Sequence, residues 1–239
     1  MVIKAILNTL FLPLWTVFMV SFAVSRVVLQ RDPGIFRRLQ RNWGKGIADF
    51  CGFRVTIHGA EHMEPGCSYV VVSNHQSHMD IPIIFMTLPT TPGFVAKKEL
   101  MKVPFLAKAL DMGGHVIVDR SDRQSAHQSL EQAADEIRGG KTVLIFPEGT
   151  RGATEEIYKF KGGAFHMAKG AGVPILPVGL RGTRKLFPKE GMLIRGGAVE
   201  VHIGEPIAPE EIADADLKTV SATVRERIAA LADMPLLSK

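Results

Sequence analysis

The segment SNHQSHMD, residues 73–80, sets two histidines and an aspartate directly after SYVVV, a run with the character of a buried strand. Histidine titrates near neutral pH, so one imidazole can take a proton in one step and return it in the next. It does this best when a carboxylate holds its other ring nitrogen and fixes the tautomer. His75 and Asp80 are the candidates for such a pair. Residues five apart on one continuous helix do not share a face. The pairing therefore requires His75 in a turn and Asp80 at the start of the helix that follows. Pro82 suits that start, because a first helical turn tolerates a missing N–H. A plain helix cap is an equally good reading of Asp80.

Two other chemistries compete for these residues. His75, His78 and Asp80 could be metal ligands, but the spacing is not that of a His-Glu-x-x-His helix and no third-ligand group follows. A serine hydrolase would need a Gly-x-Ser-x-Gly turn, and the chain has none. His75 is thus left without an enzyme nucleophile, and the remaining reading is direct activation of a hydroxyl on a substrate. A second cluster, FPEGTR at 146–151, follows the apolar run TVLIF. Its Pro147 and Gly149 make a tight turn, which offers Glu148, Thr150 and the guanidinium of Arg151. Arginine's planar fork matches phosphate geometry. A third run, HVIVDR, ends on Arg120.

These clusters need a scaffold that brings strand ends together. Seven strands are expected, at 53–59, 68–74, 93–96, 115–120, 142–147, 173–180 and 198–204, rich in Val and Ile without strict alternation. Helices are expected between them at 80–88, 104–111, 123–138, 162–170 and 208–232. The alternation argues an α/β fold, a mostly parallel central sheet flanked by helices. In such sheets, sites gather at the carboxyl ends of strands.

The amino end differs from the rest. Ala5 to Ser25 carries no charge, and twenty helical residues span about 30 Å, the thickness of a bilayer core. A cleaved signal peptide, with AVS at 23–25 as cleavage site, is the competing reading. The length of the run and the single Lys4 at its start weigh against it. Residues 34–50 then interleave Arg37, Arg38, Arg41 and Lys45 with Ile35, Phe36, Leu39, Trp43, Ile47 and Phe50. That is the pattern of a basic amphipathic helix on anionic lipid, and equally of a helix packed on the domain. Two units follow: membrane-associating helices in 1–52 and an α/β catalytic domain in 53–239. The net charge of +5 suits an anionic surface or substrate without separating nucleic acid from lipid phosphate. Cys51 and Cys67 have no metal or framework spacing and read as free thiols in a reducing compartment.

Taken together, NHQSHMD, GGHVIVDR, FPEGTR and VPILPVGL resemble the four successive boxes of the glycerolipid acyltransferases. The resemblance covers roughly residues 53–183 and is nearest to the 1-acyl-sn-glycerol-3-phosphate acyltransferases. After Arg151, GATEEIYKF is more acidic than that family's usual continuation. The resemblance implies transfer of an acyl group from acyl-CoA or acyl carrier protein to the sn-2 hydroxyl of lysophosphatidic acid. His75 would be the general base and Asp80 its orienting partner. Arg120 and Arg151 would hold the phosphate, with Glu148, Gly149 and Thr150 at the acceptor. It implies no metal, no cofactor and no nucleic-acid partner. If the first segment spans, the arginines just after it place the catalytic domain on the cytoplasmic side of an inner or cytoplasmic membrane. Another lysolipid or glycerol 3-phosphate is the alternative acceptor, and a non-catalytic lipid-binding protein the alternative class.

Overall fold

The computed structural model describes residues 2–30, 34–119 and 122–237. Two helices open the chain, α1 (Val2–Gln30) and α2 (Gly34–Cys51). At Gly52 a positive φ of 77° turns α2 into the first strand, a conformation that glycine adopts at no steric cost. Strands and helices then alternate: β1 (Phe53–His58), β2 (Val70–Ser73), α3 (Asp80–Thr87), β3 (Gly93–Lys97), α4 (Pro104–Met112), β4 (Val116–Val118), α5 (Arg123–Arg138), β5 (Val143–Ile145), α6 (Gly163–Ala171), β6 (Ile175–Arg181), α7 (Thr183–Leu186), β7 (Gly197–Ile203), α8 (Pro209–Ala213) and α9 (Leu217–Ala232). All seven expected strands are present. The single helix expected over 208–232 is instead two. Asp216 breaks it by capping α9, its side chain accepting from the Lys218 N–H.

The seven strands form one sheet in the order β1-β7-β6-β2-β5-β3-β4. Every neighbouring pair is parallel except β6 and β7. Successive side chains of a strand face opposite sides, and both sides are covered. Val70 and Val72 join Ile137 of α5, Phe165 of α6 and Val224 of α9 on one side. Val71 joins Ile83 of α3 and Ile47 of α2 on the other. Double coverage explains the unbroken apolar runs. The order also sets the ends of β5, β2 and β6 side by side, so FPEGTR and the VPILPVGL strand meet the His75 loop although some 70 to 100 residues separate them from it along the chain.

Helices α1 and α2 belong to the layer over α3. Trp15 Nε1 donates to the Trp43 carbonyl at 3.1 Å, and Trp43 Nε1 donates to Thr16 Oγ1 at 3.0 Å. Buried Asn8 donates to the carbonyls of Cys51 and Ile194, and Thr9 Oγ1 accepts from the Ile194 N–H. Ala5, Met19 and Ala23 continue this inward stripe. The opposite stripe of α1 is apolar and exposed: Ile3, Leu7, Leu10, Leu14, Phe18 and Phe22. Val2–Arg26 has the length and composition of a membrane-crossing helix, and Pro13 lies within α1 without ending it. In α2 the buried Phe36 and Ile47 pack inward, while Arg37, Arg38, Arg41 and Lys45 are exposed.

If Asn8 ties α1 to the sheet layer, Asn8→Ala should lower stability by about 1–3 kcal/mol, because two buried carbonyls lose their donor. Leu14→Ala, on the exposed stripe, should change it by less than about 0.5 kcal/mol in detergent. Thermal unfolding of the two variants compares them directly, and equal losses would mean that α1 is held in some other way.

Candidate active site

His75 Nδ1 lies 2.8 Å from Asp80 Oδ2. The same oxygen accepts the backbone N–H groups of Gln76 at 2.8 Å and Ser77 at 2.9 Å. Asp80 is fully buried and is the first residue of α3, with Met79 in the capping position. Its carboxylate therefore serves the loop before the helix and not the helix end. A carboxylate oxygen only accepts, so Nδ1 carries the proton and Nε2 keeps its lone pair. The imidazole stacks on Phe146 with ring centroids 4.1 Å apart and planes 15° from parallel.

The backbone of His75 is held at both ends. Its N–H donates to Glu148 Oε1 at 2.7 Å, and its carbonyl accepts from the Gly152 N–H at 2.8 Å. The other oxygen of Glu148 accepts from the Tyr158 N–H at 3.0 Å. Glu148 is buried, and burial pushes its pKa up to about 7 against the opposing pull of those two N–H donors. Asn74 donates to the Leu180 carbonyl and accepts from the Leu180 N–H, extending the β2–β6 ladder past Ser73. The loop hydroxyls are turned to backbone. Ser73 Oγ donates to the Asn74 carbonyl and Ser77 Oγ to that of Phe187.

Of the other expected site residues, Gly149 has φ 72° and closes the turn by donating its N–H to the Phe146 carbonyl at 3.0 Å. Thr150 is exposed beside it and Arg151 is half-buried. The pKa of His78 is lowered, first by partial burial and then by the nearby charges of Arg151 and His75. Arg120 lies outside the described residues. Among the described residues, a trio with ion-sized spacing is His58, Glu200 and His202 on the strands β1 and β7. The two rings there stack at 4.4 Å and 15°, which keeps their in-plane lone pairs from converging.

Several contributors carry no local sequence signal. Arg184 donates to the carbonyls of Gly152 and Ala153, and Arg225 to those of Ile157 and Tyr158, so the acidic run after Arg151 is strapped down from α7 and α9. An apolar cavity of about 450 Å³ opens beside His78 between α1, α2, α3 and α4, with Leu12, Met19, Trp43, Pro82, Leu106 and Phe187 in its wall. Gln40 and His115 also line it and face each other at 2.9 Å. Burial pulls the pKa of His115 down to about 4, so it is neutral at physiological pH. The chain thus holds an Asp80-paired histidine, His75, on the same short loop as the His78 that lines this cavity.

Known proteins resemble this chain in sequence and fold. The family model described as Acyltransferase matches residues 54–181. A 1-acyl-sn-glycerol-3-phosphate acyltransferase of Chlamydomonas reinhardtii is 36% identical over 85% of this chain and 61% of the relative. The corresponding Saccharomyces cerevisiae enzyme is 35% identical over 74% of this chain and 59% of its own. The chain thus spans about three fifths of the length of these curated relatives. The crystal structure of the 1-acyl-sn-glycerophosphate (LPA) acyltransferase PlsC from Thermotoga maritima superposes with a TM-score of 0.84 at 30% identity, over 97% of this chain and 95% of that one. With its boxes in order, its histidine and aspartate paired, and a matched span of more than half its length, this chain belongs to the acyltransferase family.

Proposed function

We propose that this chain moves a fatty acyl group from an acyl thioester, acyl-CoA or acyl carrier protein, to the sn-2 hydroxyl of lysophosphatidic acid, giving phosphatidic acid. The observation that carries this reading is the His75–Asp80 pair on the loop whose His78 and Met79 line the apolar cavity, with both neighbouring serine hydroxyls turned away. The names of the relatives supply the acceptor. In the reaction, Nε2 of His75 takes the proton of the acceptor hydroxyl as its oxygen bonds to the thioester carbonyl carbon. The carbonyl electrons move onto oxygen, and their return breaks the C–S bond. The departing thiolate then takes the proton back from His75. Asp80 stabilises the transient imidazolium. The acyl chain occupies the apolar cavity, where burial contributes about 25 cal/mol per Å². Arg151 pairs with the acceptor's phosphate, and Arg120 is proposed beside it. Thr150 and Gly149 border the acceptor. Glu148 acts through the backbone of His75 as a positioning residue. The acyl group arrives already activated as a thioester, so the chemistry calls for no metal or further cofactor.

The same reading covers the amino end. One stripe of α1 is committed to α2 and the sheet layer, so lipid can reach only the other. We therefore propose that residues 1–52 dip into one leaflet of the inner or cytoplasmic membrane. The catalytic domain of 53–239 then faces the cytoplasm, and the exposed basic residues of α2 meet anionic headgroups.

Three outcomes follow. His75→Ala should cost about 10²- to 10⁴-fold in kcat with purified protein, acyl donor and lysophosphatidic acid. Asp80→Asn should approach that loss, and His78→Ala should be mild; a dead His78→Ala beside an active His75→Ala would reverse the assignment. For the membrane, Leu14→Asp with Phe18→Asp should abolish sedimentation with anionic vesicles yet spare turnover of a dispersed short-chain acceptor. Undiminished vesicle binding would place the contact elsewhere. For Glu148, the folded carboxyl holds a proton up to about pH 7, against an ordinary value of 4.5 when unfolded. The folded state therefore carries the extra proton between these values, and stability falls as pH rises through them. Measured by urea unfolding, wild type should lose ground to Glu148→Gln between about pH 5 and pH 8. A difference that stays constant over that range would refute the buried titration.

A further inference from the structure

Lys161 has no role in the account so far. Its backbone N–H donates to the Pro147 carbonyl at 2.9 Å, which ties the start of the 161–171 segment to the FPEGTR turn. Its side chain then lies across Gly149. A Cβ built on Gly149 would stand 2.9 Å from Lys161 Nζ, 3.1 Å from Cε and 3.3 Å from Cδ. The bare glycine face is thus what lets the ammonium settle on the turn. Lys161 is exposed and forms no ion pair among the described residues. Two arginines that reach the chain after this turn are engaged. Arg184 is spent on the carbonyls of Gly152 and Ala153, and Arg225 on those of Ile157 and Tyr158. The turn beneath Lys161 is continuous with the catalytic histidine. Phe146 stacks on its ring and Glu148 bonds its backbone, and Arg151 follows two residues after Gly149. The one carboxylate of the turn, Glu148, faces inward and is occupied by two N–H groups, so it does not neutralise the ammonium from below.

We infer that Lys161 is a further phosphate-binding residue, which takes the phosphate monoester of the acceptor together with Arg151. The inference rests on the acyl-transfer reading above. A flexible ammonium and a planar guanidinium suit one phosphate well. Arginine orients two of its oxygens, and lysine adds charge to whichever oxygen is left. A doubly charged monoester would gain from both, whereas a phosphate-free hydroxyl acceptor would need neither. Lys161 is therefore assigned to discrimination for a monoester headgroup and not to proton transfer.

The test compares wild type, Lys161→Ala and Lys161→Arg in the full chain. Lys161→Ala should raise the KM for lysophosphatidic acid by about tenfold or more, the scale of one lost charge-assisted contact. The KM for the acyl donor, kcat and turnover of monoacylglycerol should stay within about twofold. Lys161→Arg should restore most of the loss. Binding of inorganic phosphate, followed by calorimetry, should weaken in Lys161→Ala and recover in Lys161→Arg. Wild type that fails to acylate lysophosphatidic acid would overturn the functional reading, and the phosphate titration would still decide on Lys161. An unchanged KM and unchanged phosphate affinity in Lys161→Ala would overturn the inference. So would an equal loss with monoacylglycerol, which would make Lys161 a structural support of the turn.

Discussion

One oxygen organises the site. Oδ2 of Asp80 accepts from the ring of His75 and from the backbone N–H groups of Gln76 and Ser77. Hydrogen bonds to a charged acceptor contribute about 1.5–3 kcal/mol each, and all three close on a fully buried atom. They curl residues 75–77 back over the start of α3, so the imidazole and the helix it precedes form one rigid unit. Removing the carboxylate would release the ring tautomer and the loop backbone together.

The rest of the scaffold presses on that unit from all sides. Phe146 flanks the ring, Glu148 and Gly152 hold the backbone of His75, and Asn74 grips Leu180. These contacts exist because β5, β2 and β6 are neighbours in the sheet, with their carboxyl ends on one edge. The helices α1 and α2 then close the apolar cavity beside His78, so the helix that carries the exposed apolar stripe also walls that cavity.

Much of this was legible in the residues. Val and Ile runs broken by turns marked all seven strands, and the spacing of His75 and Asp80 required the turn-then-helix geometry that is found. The helix over 208–232 was overextended, because its apolar period continues through the cap at Asp216. The amphipathic segment 34–50 left two readings open. Burial of Phe36 and Ile47 shows that its apolar side packs inward, and the exposed apolar surface lies on α1 instead. Strand order was not legible, since nothing local says that β5 and β6 flank β2. For the same reason, the straps from Arg184 and Arg225 and the pairing of Gln40 with His115 were invisible. Each joins groups that lie some 30 to 75 residues apart along the chain. The family resemblance sets Glu148 at the acceptor, whereas its carboxylate is buried against the backbone of His75 and Tyr158. Its burial behind His75 depends on the backbone of a different loop.

The central claim is that Asp80 holds His75 with its proton on Nδ1, leaving Nε2 as the base. Long-range ¹H–¹⁵N correlation on ring-labelled histidine reads this directly in the detergent-solubilised protein at neutral pH. If Asp80 holds the ring in this way, His75 is protonated at Nδ1 and bare at Nε2, and that preference is lost in Asp80→Asn. A His75 ring found with its proton on Nε2, unchanged by Asp80→Asn, would contradict it.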